Sequence, residues 1–203
     1  MAFLIPSTFG EIFDSCMSTI CFESVHRLLD KFMERNMSNN FTAYFHASTV
    51  ATLSFTQLMT EDKLLYYLLK KFSTGYFLYD LRQILKYNKL SLMNAAYLYH
   101  HLASIYFLHN APADMGSQVM FWSELSNIPS YFVYFLMKQK NKNGEKLRLL
   151  EKIQFYLFLI IRFPILTYMA YDTVKAGKEK PVYPIIPIYL MGLVWTYKLG
   201  KKL

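Results

Sequence analysis

Ionisable side chains recur in the middle of otherwise apolar stretches of this chain: His46, Asp80, the adjacent pair His100 and His101, Glu124 and Arg162. Imidazole titrates near neutrality and is the natural proton carrier, so His100 and His101 are the candidate catalytic residues. Polar neighbours extend each site into a stripe: Thr42, His46, Thr49, Thr56 and Thr60; Ser73, Tyr76, Asp80, Gln83 and Tyr87; Asn94, Tyr97, His101 and Ser104; Glu124, Asn127, Tyr131 and Tyr134. Steps of three and four put each set on one helix face. Such faces most simply line one shared interior. The candidate cavity or lipid-binding residues are therefore His46, Tyr76, Asp80, Tyr97, Glu124, Tyr131 and Arg162.

The same residues have a plainer use. Ser, Thr, Asn and His hydrogen-bond between packed membrane helices without doing chemistry. Arg162 is expected to pair with Glu124 or Asp80, directly or through a water, because an unpaired charge in hydrocarbon costs at least ~2.5–3.5 kcal/mol. Adjacent helical residues point about 100° apart. His100 and His101 are thus ill placed to clamp one metal, and better placed for one to face a cavity and the other to brace a neighbour. No metal or cofactor is expected, although His46, His100, His101 and Glu124 form a conceivable ligand set.

These side chains need long apolar elements to carry them. A bilayer core takes roughly 20 apolar residues in a helix. The stretches Phe41 to Thr60, Leu64 to Leu85, Leu92 to Asn110, Gly116 to Met137, Ile153 to Val174 and Val182 to Tyr197 approach that length. The second is interrupted by Lys70, Lys71, Asp80 and Arg82; either its lysines snorkel toward the interface or its apolar part begins near Phe72. Pro129 and Pro164 fall inside the fourth and fifth and should kink them. The fold class is all-α: a polytopic transmembrane bundle of about six core spans, residues 41–203, after an N-terminal segment, residues 1–40. In that segment Phe3 to Phe22 reads as a seventh span or an interfacial helix. Val25, Leu28, Leu29, Phe32 and Met33 are helically periodic, and His26, Arg27, Lys31 and Arg35 occupy the other positions, a surface-lying amphipathic pattern.

Composition agrees. Hydrophobic residues make up 54% of the 203 and charged residues 18%, below the ~25% of soluble domains. A large soluble helical protein is the competing class, and such long aromatic stretches argue against it. Cys16 and Cys21 rule out a disulfide scaffold and read as inert or lipidated. The net charge of +8 is explained by topology. Arg27, Lys31, Arg35, Lys86, Lys89, the run Lys138, Lys140, Lys142, Lys146, Arg148 and Lys152, and Lys198, Lys201 and Lys202 fall on one side. The other has Lys63, Lys175, Lys178 and Lys180. The positive-inside rule makes the first side, with the C-terminus, cytosolic. Attraction to anionic lipid accounts for the basic balance without nucleic acid. The sequons Asn36-Met37-Ser38 and Asn40-Phe41-Thr42 then lie on the unmodified side.

Four segments resemble a known family in order and spacing. FSTGYFLYDL, Phe72 to Leu81, resembles the Gly-Tyr-Phe…Asp segment of the TLC domain. YLYHHLASIYF, Tyr97 to Phe107, resembles its paired-histidine helix. FWSELSNIP, Phe121 to Pro129, resembles its Glu-x-Ser-x-x-Pro helix, and FHAS, Phe45 to Ser48, its first core helix. The likeness covers roughly residues 40 to 200. It is closer to the small TLC-domain proteins than to ceramide synthases, whose His-Asp…Asp half has no counterpart after His100 and His101. Asn127 and Ser130 stand where relatives tend to have Thr and Phe.

The resemblance implies a multi-pass membrane protein of the endoplasmic reticulum, with membrane lipids as partners and a role in lipid homeostasis. A carrier, sensor or trafficking factor without turnover is the first function class. The second is a ceramide-synthase-like N-acyltransferase with acyl-CoA as substrate, His100 or His101 as base, and Arg162 or cytosolic lysines on the acyl-CoA phosphates. A transporter or channel is a distant third, for want of repeats. The sequence is compatible with a homo- or hetero-oligomer.

Overall fold

The computed structural model describes residues 9–87, 91–139, 143–177 and 180–203. Lys89, Lys140, Lys142 and Lys178 of the charge count, and the start of the Phe3 to Phe22 stretch, lie outside them. Among the described residues there are seven helices and no strand. These are α1 (Phe9–Leu29), α2 (Arg35–Thr60), α3 (Lys63–Tyr87), α4 (Leu92–Asn110) and α5 (Ala113–Lys138), followed by α6 (Gly144–Lys175) and α7 (Ile186–Gly200). A short 3-10 turn, Tyr183–Ile185, leads into α7.

Local chemistry sets several boundaries. Ser91 caps α4 by accepting from the Asn94 backbone N–H at 3.2 Å, and Asn143 caps α6 by accepting from that of Lys146 at 3.0 Å. Both satisfy a donor the helix itself leaves unpaired. Glu61 ends α2 in the left-handed region, at φ 55°. In α6 the helix widens over Ile161–Ile165. Pro164 has no N–H to give to the preceding turn, which favours a wider ring there.

Pairwise packing closes a ring. α2 packs on α5, α5 on α6, α6 on α7, the turn before α7 on α4, α4 on α3, and α3 back on α2. Tyr97 of α4 stacks on Trp195 of α7 with centroids 5.7 Å apart, and the Tyr99 hydroxyl donates to the Pro184 carbonyl at 2.9 Å. These contacts join α4 to the last helix. α1 stands outside the ring against α3.

The first helix is a packed element. Phe22 is 1% exposed and sits among Phe45, Phe72, Tyr76 and Tyr79. Close approach of α1 and α3 is made by small residues: Thr19 donates to the Gly75 carbonyl at 3.1 Å, and Ser18 to that of Phe72 at 3.3 Å. A Cβ on Gly75 would collide with the Ser18 side chain.

Three readings of the sequence change here. The amphipathic pattern from Val25 to Met33 is not one surface helix: α1 stops at Leu29, residues 30–34 turn the chain, and α2 starts at Arg35 rather than Phe41. Nothing in Asp30-Lys31-Phe32-Met33-Glu34 is Gly or Pro, so the turn carried no signal. His26, placed on the polar face, is buried, with Nδ1 2.6 Å from the Tyr79 hydroxyl and Nε2 3.0 Å from Asp30. Lys71 does not snorkel outward. It is buried, with Nζ 5.2 Å from the Tyr67 ring, whose hydroxyl donates to Asp14.

Candidate functional site

Inside the ring lies a cavity of about 380 Å³, walled by α4, α5, α6, α7 and Phe77 of α3. Most of the wall is apolar, including Phe107, Val119, Met120, Leu166, Ala170 and Ile188. His100, Ser104, Ser123, Glu124, Asn127 and Arg162 add polar groups to it. Helical spacing explains the α5 contribution: Ser123, Glu124 and Asn127 share one face.

Arg162 and Glu124 are joined through an amide. The Arg162 Nη2 donates to Asn127 Oδ1 at 3.1 Å and to the Ser123 carbonyl at 3.4 Å. The Asn127 Nδ2 donates to Glu124 Oε2 at 3.3 Å. The other Glu124 oxygen lies 3.9 Å from His46 Nδ1. Arg162 makes no direct bond to Glu124 or Asp80. Asn127 stands between the first two, and Asp80 is engaged elsewhere. The guanidinium also lies 5.1 Å from the Phe158 ring centroid, a cation–π distance.

The paired histidines part company. His100 lines the cavity, and its Nδ1 has no hydrogen-bond partner among the described residues. His101 turns to α3, where its Nε2 meets Asp80 Oδ2 at 2.6 Å and its ring lies 5.3 Å from that of Phe77.

The other candidates spread behind the wall. His46 is buried and stacked on Tyr76, centroids 3.9 Å apart and planes within 13°. That pair supports Glu124 from α2 and α3. Tyr97 is 37% exposed and faces Trp195, and Tyr131 packs near Tyr44 at 6.3 Å. Neither Tyr76, Tyr97 nor Tyr131 is among the lining residues. Ser104, Ser123, Asn127, Thr167 and Tyr189 are. Ser104 and Asn127 belonged to the polar stripes. The others carried no spacing signal.

A side-chain base works best when a third group fixes its tautomer and aim. The histidine with a carboxylate, His101, is off the cavity, and the histidine on the cavity, His100, has no carboxylate bonded to it. Among the described residues no three His, Cys, Asp or Glu side chains gather as a metal site.

A ring of helices around an apolar cavity with a buried polar cluster defines a helical-bundle protein with an internal ligand-sized site. The chain matches the TLC domain (TRAM/LAG1/CLN8) over residues 31–199 and belongs to that family of integral multi-pass membrane proteins. Comparison with curated proteins and with solved structures returned no match. Of the described helices, one, Gly144–Lys175, is by itself long and apolar enough to cross a membrane.

Proposed function

We propose that this protein is a lipid-binding TLC-domain membrane protein that holds one acyl-bearing lipid inside its helix ring and serves lipid homeostasis without turning its ligand over. The observation that carries the reading is the cavity itself, apolar along most of its wall with a buried Arg162–Asn127–Glu124 cluster. Its ~380 Å³ falls in the range of about 300–1,000 Å³ typical of small-molecule sites, which are mostly apolar with a few placed polar groups. In this reading the chain packs along the apolar wall and the head meets the polar cluster.

The likeness to the small TLC-domain proteins, rather than to the synthases, supports a role without turnover, as does the division of labour between His100 and His101. The membrane-embedded ring is α2 to α7. Exposed Tyr171 and Tyr183 near the α6–α7 link, and exposed Tyr197 near the far end of α7, take positions that suit amphipathic rings at two interfaces. The basic residues support a cytosolic C-terminus and a cytosolic α5–α6 link, and the family likeness supports the endoplasmic reticulum as the compartment.

An acyl-CoA-dependent N-acyltransferase is the second reading. One observation favours it: His100 lines the cavity, and its buried Nδ1 has no hydrogen-bond partner among the described residues. Lipid extraction from purified protein, beside lipidomics of cells carrying the H100A/H101A variant, separates the two. Binding without turnover gives a retained lipid and no lost product. An acyltransferase gives a product class that disappears with the histidines while protein level is unchanged.

A further inference from the structure

We infer that the cavity takes a single-chain amphiphile with an anionic oxygen head, and that Arg162 is the counter-charge that selects it. This rests on the lipid-cavity reading above.

Arg162 is 8% exposed and lines the cavity. Its hydrogen bonds go from Nη2 to two neutral acceptors, Asn127 Oδ1 and the Ser123 carbonyl. Its Nε is buried with no partner among the described residues. A buried cation wants an opposite charge and has several donors to satisfy. The Phe158 ring at 5.1 Å offers only its quadrupole.

Glu124 does not fill the role, and the reason is geometric. One of its oxygens accepts from Asn127 and the other faces His46. Asn127 presents its carbonyl to Arg162 and its amide to Glu124, so it holds the two charges apart rather than letting them close. The guanidinium charge is thereby left available to the cavity. His100, with its unpartnered Nδ1, and Ser104 supply further polar groups on the α4 wall. A carboxylate or phosphate oxygen accepts from such donors, whereas a hydroxyl head gains no charge-assisted bond. The volume of about 380 Å³ sits at the small end of ligand sites, which suits one chain rather than two.

Two sources share this head chemistry, a free fatty acid and a lysophospholipid with a terminal phosphate. The test uses tritiated palmitate, 1-palmitoyl-lysophosphatidate and hexadecanol, the last with the same chain and no charge, on the purified full-length protein in detergent. At least one anion should bind about tenfold or more tightly than hexadecanol, the scale on which hydrogen bonds to charged groups exceed neutral ones. The tighter anion names the source. R162Q should bring the anion-to-alcohol ratio toward one, and E124Q, which removes a nearby negative charge, should raise it. If R162Q does not fold, R162K, which keeps the charge but not the planar fork, should lower the ratio partway, and E124Q still reads the sign. Equal binding of alcohol and both anions, or a ratio that neither Arg162 nor Glu124 variants move, overturns the head assignment and leaves the lipid cavity standing. Failure of all three probes to bind overturns the lipid-cavity reading itself.

Discussion

His101 is tied to Asp80, Nε2 to Oδ2 at 2.6 Å, and that bond faces it away from the cavity that its neighbour His100 lines. Two adjacent imidazoles thus do different work. His101 joins α4 to α3, with its side chain 7% and that of Asp80 27% exposed. His100 is the cavity residue. The adjacent pair is, in three dimensions, one inter-helix residue beside one cavity-lining residue.

Stability and ligand retention should therefore separate between the two. H101A breaks a charge-assisted hydrogen bond inside the bundle and should cost roughly 1.5–3 kcal/mol, read as a lower thermal unfolding temperature in detergent. H100A removes a ring whose Nδ1 has no partner, and should leave the melting temperature near that of the parent while lowering the lipid retained. Equal destabilisation by both would return the pair to the role of helix glue.

A second prediction concerns α1. It packs on α3 where Gly75 meets Ser18, and any Cβ there collides. G75V should destabilise by about 1–3 kcal/mol through overpacking, and should expose the α1–α3 seam to limited proteolysis. Proteolysis and melting indistinguishable from the parent would mean that α1 does not dock there.

Tyr79 carries a third. Its hydroxyl lies 2.6 Å from His26 Nδ1 and 3.4 Å from Asn39 Oδ1, and His26 reaches Asp30, which also lies 3.8 Å from Arg35. This network fastens the α1–α2 turn to α3. Y79F leaves the buried Nδ1 of His26 unpaired and should cost about 1–3 kcal/mol. Hydrogen exchange should rise first in residues 26–35, and a rise spread evenly over the chain would argue against the fastening role.

The two sequons make a fourth prediction, and the fold changes its basis. Asn36 and Asn40 both lie in α2, Ser38 and Thr42 are 0% exposed, and Asn40 Nδ2 donates to the Tyr131 carbonyl at 3.0 Å. Glycosylation needs an accessible loop, so neither should be modified whichever way the protein faces. Orientation is read instead with a sequon-bearing insert. Placed at the Ala111–Pro112 link it should become glycosidase-sensitive, and placed before Asn143 it should not. The reverse pattern would invert the charge-based topology.

The legible part of this protein was its periodicity. Thr42 and His46, Tyr76 and Asp80, and Glu124 and Asn127 each follow three-or-four spacing; Thr42, His46, Tyr76 and Glu124 are buried, Asp80 bonds to His101 of α4 and Asn127 lines the cavity. Long helices with few Gly repeat that signal enough times to be read. What periodicity does not carry is which inward face meets which. Tyr97 and Tyr131 lie on polar stripes yet pack against Trp195 and Tyr44. The sequence points to an Arg162–carboxylate pairing, direct or through a water, and the Asn127 amide bridges Arg162 to Glu124. Only tertiary geometry separates a direct pair from a relay. The α1–α2 turn was hidden because Asp30 to Glu34 contains no breaker and the apolar pattern runs through it.

The central claim is a lipid inside the ring, and the most direct measurement is native mass spectrometry of the purified full-length protein beside A170W. Ala170 lies on the cavity wall of α6, and an indole there fills the chain-binding space while leaving Arg162, Asn127 and Glu124 in place. The parent should retain close to one lipid per chain, and A170W should lose most of it at an unchanged melting temperature. Equal lipid retention by the two proteins, or no retained lipid on the parent, would contradict the account.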